Sequence, residues 1–205
     1  GIISSLLICE HSVASGSFGV TVNAHTGIGT MPLVFFGNEE QKQKYLPVLA
    51  SGEKLAAYAL TEPGAGTDAL SIQTTARLTE DSRYYRLNGA KQFITNGGFA
   101  DIIMTYAKVD GDKFTSFLVE RDTEGVSTGP EEKKMGIRGT STVSIIFEDA
   151  KVPAGNRVFE IGRGHIVAFN ILDIGRFKLA AGAVGVSKLA IDLSLIHISE
   201  PTRLR

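Results

Sequence analysis

The spacing of apolar residues along the chain changes twice. In residues 1–54, Ile3, Leu6, Leu7 and Val13 recur near a helical period, which predicts helices. Asn38 followed by Glu39-Glu40-Gln41 reads as an N-cap with its reciprocal partner three residues on. Pro47 has no N–H to give, and its ring crowds the preceding turn. The helix opened at Glu39 is therefore expected to end near Tyr45, with a further turn starting at Pro47 and stopping at Ser51-Gly52.

Residues 55–161 carry short runs of strand formers: Leu55–Leu60, Ser71–Leu78, Tyr84–Asn88, Gln92–Thr95, Ile102–Lys108, Phe114–Glu120 and Val143–Phe147. Asn88-Gly89, Asn96-Gly97-Gly98, Asp110-Gly111 and Glu124-Gly125 lie between them and favour tight hairpins. The spacing predicts an antiparallel barrel or sandwich rather than alternating βαβ units.

Residues 162–193 return to a helical repeat through Ile166, Phe169, Asn170, Asp173, Phe177, Ala180, Ala181, Val184 and Leu189. Gly175, Gly182 and Gly185 each cost roughly 1 kcal/mol in a helix interior, which implies close approach of another helix or a ligand. Ile166, Phe169, Leu172, Phe177 and Leu189 are expected to be buried, at about 1.5–3 kcal/mol each. Their sum rivals a domain's net stability of about 5–15 kcal/mol, so without a covering surface this helix is expected to order poorly or drive aggregation. Residues 194–205 (SLIHISEPTRLR) are read as a non-native, adaptor-like tail that breaks the helix, with Pro201 barring continuation. The fold class is thus α+β, divided as 1–54, 55–161, 162–193 and the tail.

Composition narrows the function. The chain has 205 residues, 43% of them hydrophobic, enough for one or two packed units. Its 21 Lys+Arg against 22 Asp+Glu leave a net charge of −1, and no basic run interleaves with aromatics, which argues against nucleic acid. The single cysteine, Cys9, excludes an internal disulfide and reads as a buried, inert thiol. His11, His25, His165 and His197 are scattered, so no metal site is expected. The apolar runs are interrupted by polar residues, so no transmembrane segment is expected. The chain opens at Gly1 in mid-pattern, and an earlier N-terminus is expected.

The most informative run is Tyr58-Ala59-Leu60-Thr61-Glu62-Pro63-Gly64-Ala65-Gly66-Thr67-Asp68. A strand ends at Thr61 and a Gly-rich loop follows, offering backbone N–H groups and two hydroxyls to a polar ring edge or a phosphate. Without the Lys of a P-loop or a dinucleotide fingerprint, an ordinary Pro-Gly turn is the simpler account of these residues alone. Three more blocks follow in order: Leu87–Gly97 (LNGAKQFITNG), Lys134–Thr142 (KMGIRGTST), and Asn170–Phe177 (NILDIGRF) with Ala180–Gly185 (AAGAVG). Together the four blocks resemble the acyl-CoA dehydrogenase family across residues 1–193. The third and fourth are most similar to its long-chain and very-long-chain branch.

The resemblance implies the end of an N-terminal helical domain, a middle β-domain and the first long helix of a C-terminal helical bundle. It implies FAD as cofactor, acyl-CoA as substrate, and an electron-transferring flavoprotein as electron acceptor. A homo-oligomer, tetramer or dimer, is implied for the intact enzyme, in a bacterial cytoplasm or a mitochondrial matrix. Tyr58 to Thr67 would face FAD, with Thr61 on the pyrimidine edge of the isoalloxazine. Phe93, Ile94 and Thr95 would lie against the ring, Thr95 donating toward N5. Phe93 stands where many members have Trp; core packing is its competing account.

Thr67, Asp173 and Arg176 would contact the acyl-CoA, although Asp173 and Arg176 at i,i+3 can also pair with each other. Glu62 and Asp68 read as caps on the Gly-rich turn rather than as paired acids, and Arg138 reads as structural. The family's base is a Glu expected beyond residue 205; a minority branch places it on the last helix, where this chain has Gly175. No residue present is therefore assigned as catalytic, and the chain alone is expected to be inactive. An acyl-CoA oxidase or a non-catalytic flavin-binding scaffold on the same fold are the alternatives.

Overall fold

The computed structural model describes residues 1–12 and 16–199; Val13 and Pro201 lie outside this range. Helices α1 (Ile2–Ser12), α2 (Ser17–Asn23), α3 (Met31–Phe36) and α4 (Glu39–Ser51) come first. A π-helical turn, Ala24–Gly29, joins α2 to α3. Asn38 caps α4 as its sequence predicts: its side chain accepts from Gln41 N while the Gln41 side chain accepts from Asn38 N. Gly52, at φ 76°, closes the helix. Contrary to expectation, α4 runs straight through Pro47. Pro47 and Gln43 are both exposed, so the carbonyl left without a donor can turn to water.

Eight strands follow: β1 (Ala56–Ala59), β2 (Thr75–Leu78), β3 (Tyr84–Thr95), β4 (Ile102–Val109), β5 (Lys113–Glu120), β6 (Val126–Thr128), β7 (Thr142–Pro153) and β8 (Arg157–Val158). They form one sheet in the order β6-β7-β3-β2-β4-β5-β8, with β1 also on β4. Most pairings are antiparallel, but β1 and β2 both run parallel to β4, so the sheet is mixed. The β4–β5 hairpin turns at Asp110-Gly111, both at positive φ, as expected. Asn88-Gly89 is not a hairpin. It sits inside the twelve-residue β3 at a register shift, and a Cβ on Gly89 would lie 2.7 Å from Thr74 Cα.

β4 is buried on both faces. Ile102, Met104 and Tyr106 join one apolar core, shared with α3, α4 and the last helix; Ile103, Ala107 and Val109 join a second core with Leu87, Phe117, Ile145 and Phe147. The last helix, α5 (Gly164–Ser199), packs its first two turns on the sheet, burying Val167, Ala168 and Ile171.

α5 departs from the sequence reading in three ways. It continues past residue 193 to Ser199, because nothing before Pro201 forbids helix. Its buried residues are Gly164, Val167, Ala168, Ile171, Lys178, Gly182 and Gly185, while Phe169, Phe177 and Leu189 are exposed. Apolar residues occupy every side of this helix, so periodicity could not select the buried stripe. Finally, Gly164–Ile198 is long and apolar enough, by length and composition, to cross a bilayer, which the sequence reading denied. Of the three helix glycines, Gly175 does mark a close approach: a Cβ there would sit 3.1 Å from Ile28 Cγ2 of the π-helical turn.

Candidate flavin and thioester cleft

β1 ends at Ala59 and delivers Leu60 and Thr61 to the mouth of a cleft. Glu62-Pro63-Gly64-Ala65 then turns back on itself through two backbone hydrogen bonds, Glu62 N to Ala65 O and Ala65 N to Glu62 O, each 3.1 Å. This releases Gly66 and Thr67 onto the cleft wall. Glu62 is folded beneath the turn. Its carboxylate accepts from Gln73 N at 2.5 Å, Thr74 N at 3.1 Å, the Thr74 hydroxyl, and Lys91 Nζ at 2.7 Å. The expected capping role of Glu62 holds, although the N–H groups belong to Gln73 and Thr74 rather than to the loop itself. Asp68 accepts from the Ser71 hydroxyl one turn on.

Lys91 of β3 is fully buried. Burial pulls its pKa down to about 8, with the Glu62 charge holding it up against a further fall. Burial pushes Glu62 up, but the charge of Lys91 and the hydrogen bonds from Gln73, Lys91 and Thr74 outweigh it and hold the carboxyl below its usual value.

Two residues further, β3 leaves the register of β7 between Lys91 and Ile94. Phe93 occupies the kink at φ 58°, a conformation costing a non-glycine residue about 1–2 kcal/mol. The residue is 57% exposed, which overturns the core-packing account of Phe93. Ile94 turns into the core and Thr95 comes back to the surface of the cleft.

α5 supplies the remaining wall. Phe169, Leu172 and Arg176 share a helical face at i, i+3 and i+7. Arg176 also donates to Asp173, so the local pair foreseen for these residues is present. The cleft encloses about 490 Å³ and is lined by Tyr58, Leu60, Thr61, Gly66, Thr67, Phe93, Ile94, Thr95 and Arg176, with Ile28, Ala69, Phe169 and Leu172.

The first nine were named from sequence. Ala59, Glu62, Pro63, Gly64, Ala65 and Asp173 do not reach the lining. Ala59 and Ala65 are core, Glu62 is buried behind the turn, and Pro63 and Gly64 form the turn's outer face. Phe169 and Leu172 were missed although the helical spacing from Arg176 pointed to them. Ile28 was out of reach, because a π-helical turn has no hydrophobic signature.

The chemistry of the wall is selective. Among the described residues, the hydroxyls of Thr61, Thr67 and Thr95 make no hydrogen bond within the chain, and all three line the cleft. Thr61 does not satisfy its own turn; only its carbonyl is used, by Gln92 N at 2.8 Å. One cation, two exposed phenylalanines and three free hydroxyls suit a flat polar heterocycle beside an anionic chain. No carboxylate lines the cleft.

Comparison with known proteins identifies the family and the fold. Residues 57–150 match the family model for the acyl-CoA dehydrogenase middle domain, and residues 1–53 the model for its N-terminal domain. A probable acyl-CoA dehydrogenase of Bacillus subtilis is 60% identical over 97% of this chain and 33% of its own length. The human mitochondrial very long-chain specific acyl-CoA dehydrogenase is 43% identical over 90% of this chain and 30% of its own. A crystal structure of an acyl-CoA dehydrogenase complexed with FAD from Bacillus anthracis superposes with a TM-score of 0.97 at 56% identity, covering 100% of this chain and 36% of that one. The chain thus spans about a third of the length of these relatives.

Proposed function

Since this chain belongs to the acyl-CoA dehydrogenase family, we propose that its cleft holds the isoalloxazine of FAD against an acyl-CoA thioester and serves α,β-dehydrogenation. The three free threonine hydroxyls lining the cleft carry this reading. A bound FAD would supply the hydride acceptor. The residues that would hold it are Thr61, at the polar edge of the ring, and Phe93 and Thr95, against the ring system. Thr67 and Arg176 hold the polar part of the CoA ester, and Asp173 orients the guanidinium through their ion pair. Phe169, Leu172 and Ile28 exclude water from the reacting carbons.

The proton leaving the α-carbon needs a base that the cleft lining does not contain. Gly175, which approaches Ile28 on that wall, has no side chain to offer. We place the base outside residues 1–205 and expect this chain alone to bind without turning over. Electrons would pass to an electron-transferring flavoprotein. The intact enzyme would be a homodimer or tetramer, in a bacterial cytoplasm or, like the human relative by its name, in mitochondria. The blocks Lys134–Thr142 and Asn170–Phe177 favour the longer-chain branch.

The test is a titration of the chain with FAD, followed by flavin fluorescence, for wild type, Thr61→Val and Thr95→Val. Saturable binding is expected, weakened in each variant by the loss of one hydrogen bond, about 1 kcal/mol. Absence of saturable binding by the wild type would sink the proposal. Acyl-CoA-dependent dye reduction by this chain would overturn the placement of the base.

A further inference from the structure

Two segments face the cleft from different parts of the sequence: the strand end Leu60–Thr61 with its turn, and the kinked end of β3, Phe93–Thr95. No ladder pairs β1 with β3. Three other contacts tie them together. Lys91 Nζ donates to Glu62 at 2.7 Å and to Leu60 O at 3.3 Å, and Gln92 N donates to Thr61 O at 2.8 Å. All three fall within two residues of the Phe93 kink on one side and within one residue of Thr61 on the other.

We propose that the buried Glu62–Lys91 ion pair is a positioning device for the flavin site, locking the Thr61 loop to the strained Phe93 turn. The inference rests on the flavin reading above and assigns a role to two residues outside the cleft lining.

The burial of the pair supports this. Both side chains are removed from water, Lys91 completely and Glu62 to 5%. A buried pair is costly to make and adds little to stability over an apolar substitute, so its value lies in fixing one arrangement. Here the arrangement is over-determined. Glu62 accepts four hydrogen bonds from three residues, two of which, Gln73 and Thr74, lead into β2. Thr74 in turn packs against Gly89 of β3, where no Cβ fits. The carboxylate is therefore the meeting point of the turn, β2 and β3. A strained φ at Phe93 persists only where the surroundings enforce it, and the two residues before it are both tied to the Thr61 loop, Gln92 through its N–H and Lys91 through the ion pair. Without the Lys91 contact the strand can relax toward regular pairing with β7, which would draw Phe93 and Thr95 away from Thr61.

The experiment uses the whole chain as wild type, Lys91→Met and the double variant E62Q/K91M. The double variant leaves no uncompensated charge in the core and remains informative if the single variant does not fold. Two measurements are made. Hydrogen–deuterium exchange without ligand reads peptides covering 61–67 and 91–96 against peptides from β4 and β5. Titration with FAD reads affinity.

Faster exchange confined to the two cleft segments is expected, with FAD affinity falling at least about tenfold, which corresponds to 1.4 kcal/mol. Uniform acceleration across β4 and β5 as well would mark the pair as merely structural and overturn the proposal. Unchanged exchange at 61–67 and 91–96, or unchanged affinity, would overturn it too. If the wild type fails to bind FAD, the flavin reading fails, while the exchange arm still decides whether the pair locks the two segments.

Discussion

Lys178 is the clearest case in which this fold tolerates an unfavourable group, and replacing it should stabilise the chain. The residue is 8% exposed, on the buried stripe of α5, where its side chain lies against Gly27 of the π-helical turn. Its ammonium donates to Thr26 Oγ1 at 3.2 Å, and no carboxylate is paired with it among the described residues. Burial lowers its pKa and outweighs the opposite effect of Cys9. Lys178→Met keeps the length of the side chain and removes the charge. The loss is one charged hydrogen bond, worth about 1.5–3 kcal/mol. The relief is the penalty of a buried ion, several kcal/mol. The net gain expected at pH 7 is about 1–2 kcal/mol, or roughly 2–8 °C in Tm for a chain of this size.

The sign with pH follows from the direction of the shift. The unfolded lysine titrates near 10.4, above its folded value, so the unfolded state holds more protons between the two and wild-type stability rises with pH across that window. The advantage of Met is therefore largest at neutral pH and shrinks toward pH 10. Urea denaturation of both proteins at pH 7 and pH 10 measures it. A less stable Met variant at pH 7, or a gain that stays constant between the two pH values, refutes the argument.

Other perturbations have equally definite outcomes. Gly29→Ala places a Cβ 2.8 Å from Ala56 Cβ and 3.1 Å from Ala24 O, so thermal melting should show a loss of about 1–3 kcal/mol, while Gly64→Ala, with nothing within 4 Å, should be silent. His25 accepts from Ala56 N through Nδ1 and contacts Leu49 O through Nε2, both at 3.0 Å, and burial, with Lys178 nearby, lowers its pKa against the Leu49 hydrogen bond. Because the folded value lies below the unfolded one of about 6.5, stability should begin to fall as pH drops through that value. His25→Gln, which also carries one donor and one acceptor, should flatten that part of the stability–pH profile. Arg176→Leu should leave the melt within about 1 kcal/mol, since its ion pair with Asp173 is exposed, yet weaken CoA-ester binding about tenfold or more by calorimetry.

The sequence was legible wherever one local rule acted alone. The Asn38 cap, the Gly52 stop and the Asp110-Gly111 hairpin each depend on a few neighbouring residues, and each is where its residues place it. Where tertiary contacts decide, local rules misled. Pro47 stays helical because Tyr45 and Leu49 on either side are anchored in the core. Asn88-Gly89 has turn chemistry, but Gly89 is needed for the approach of Thr74, not for a turn. β1 and β2 run parallel to β4 through pairings that no spacing rule encodes.

The cleft was half legible for a related reason. Thr61, Thr67, Phe93, Thr95 and Arg176 stood in recognisable blocks, whereas Ile28 is presented by a π-helical turn and Phe169 and Leu172 by a helix apolar on every side. Lys91 sat inside one of those blocks, and nothing local marked it as the buried partner of Glu62.

The kink at Phe93 makes the length of β3 a functional quantity. Lys91 and Ile94, three residues apart, both point inward, where an unbroken strand alternates every two. Deleting one residue from Gln92-Phe93 would restore the alternation and let β3 and β7 pair without interruption. Such a shortened strand would be the better sheet and would have no cleft wall. Selection on the sheet alone and selection on the cleft thus favour different residue counts in this strand.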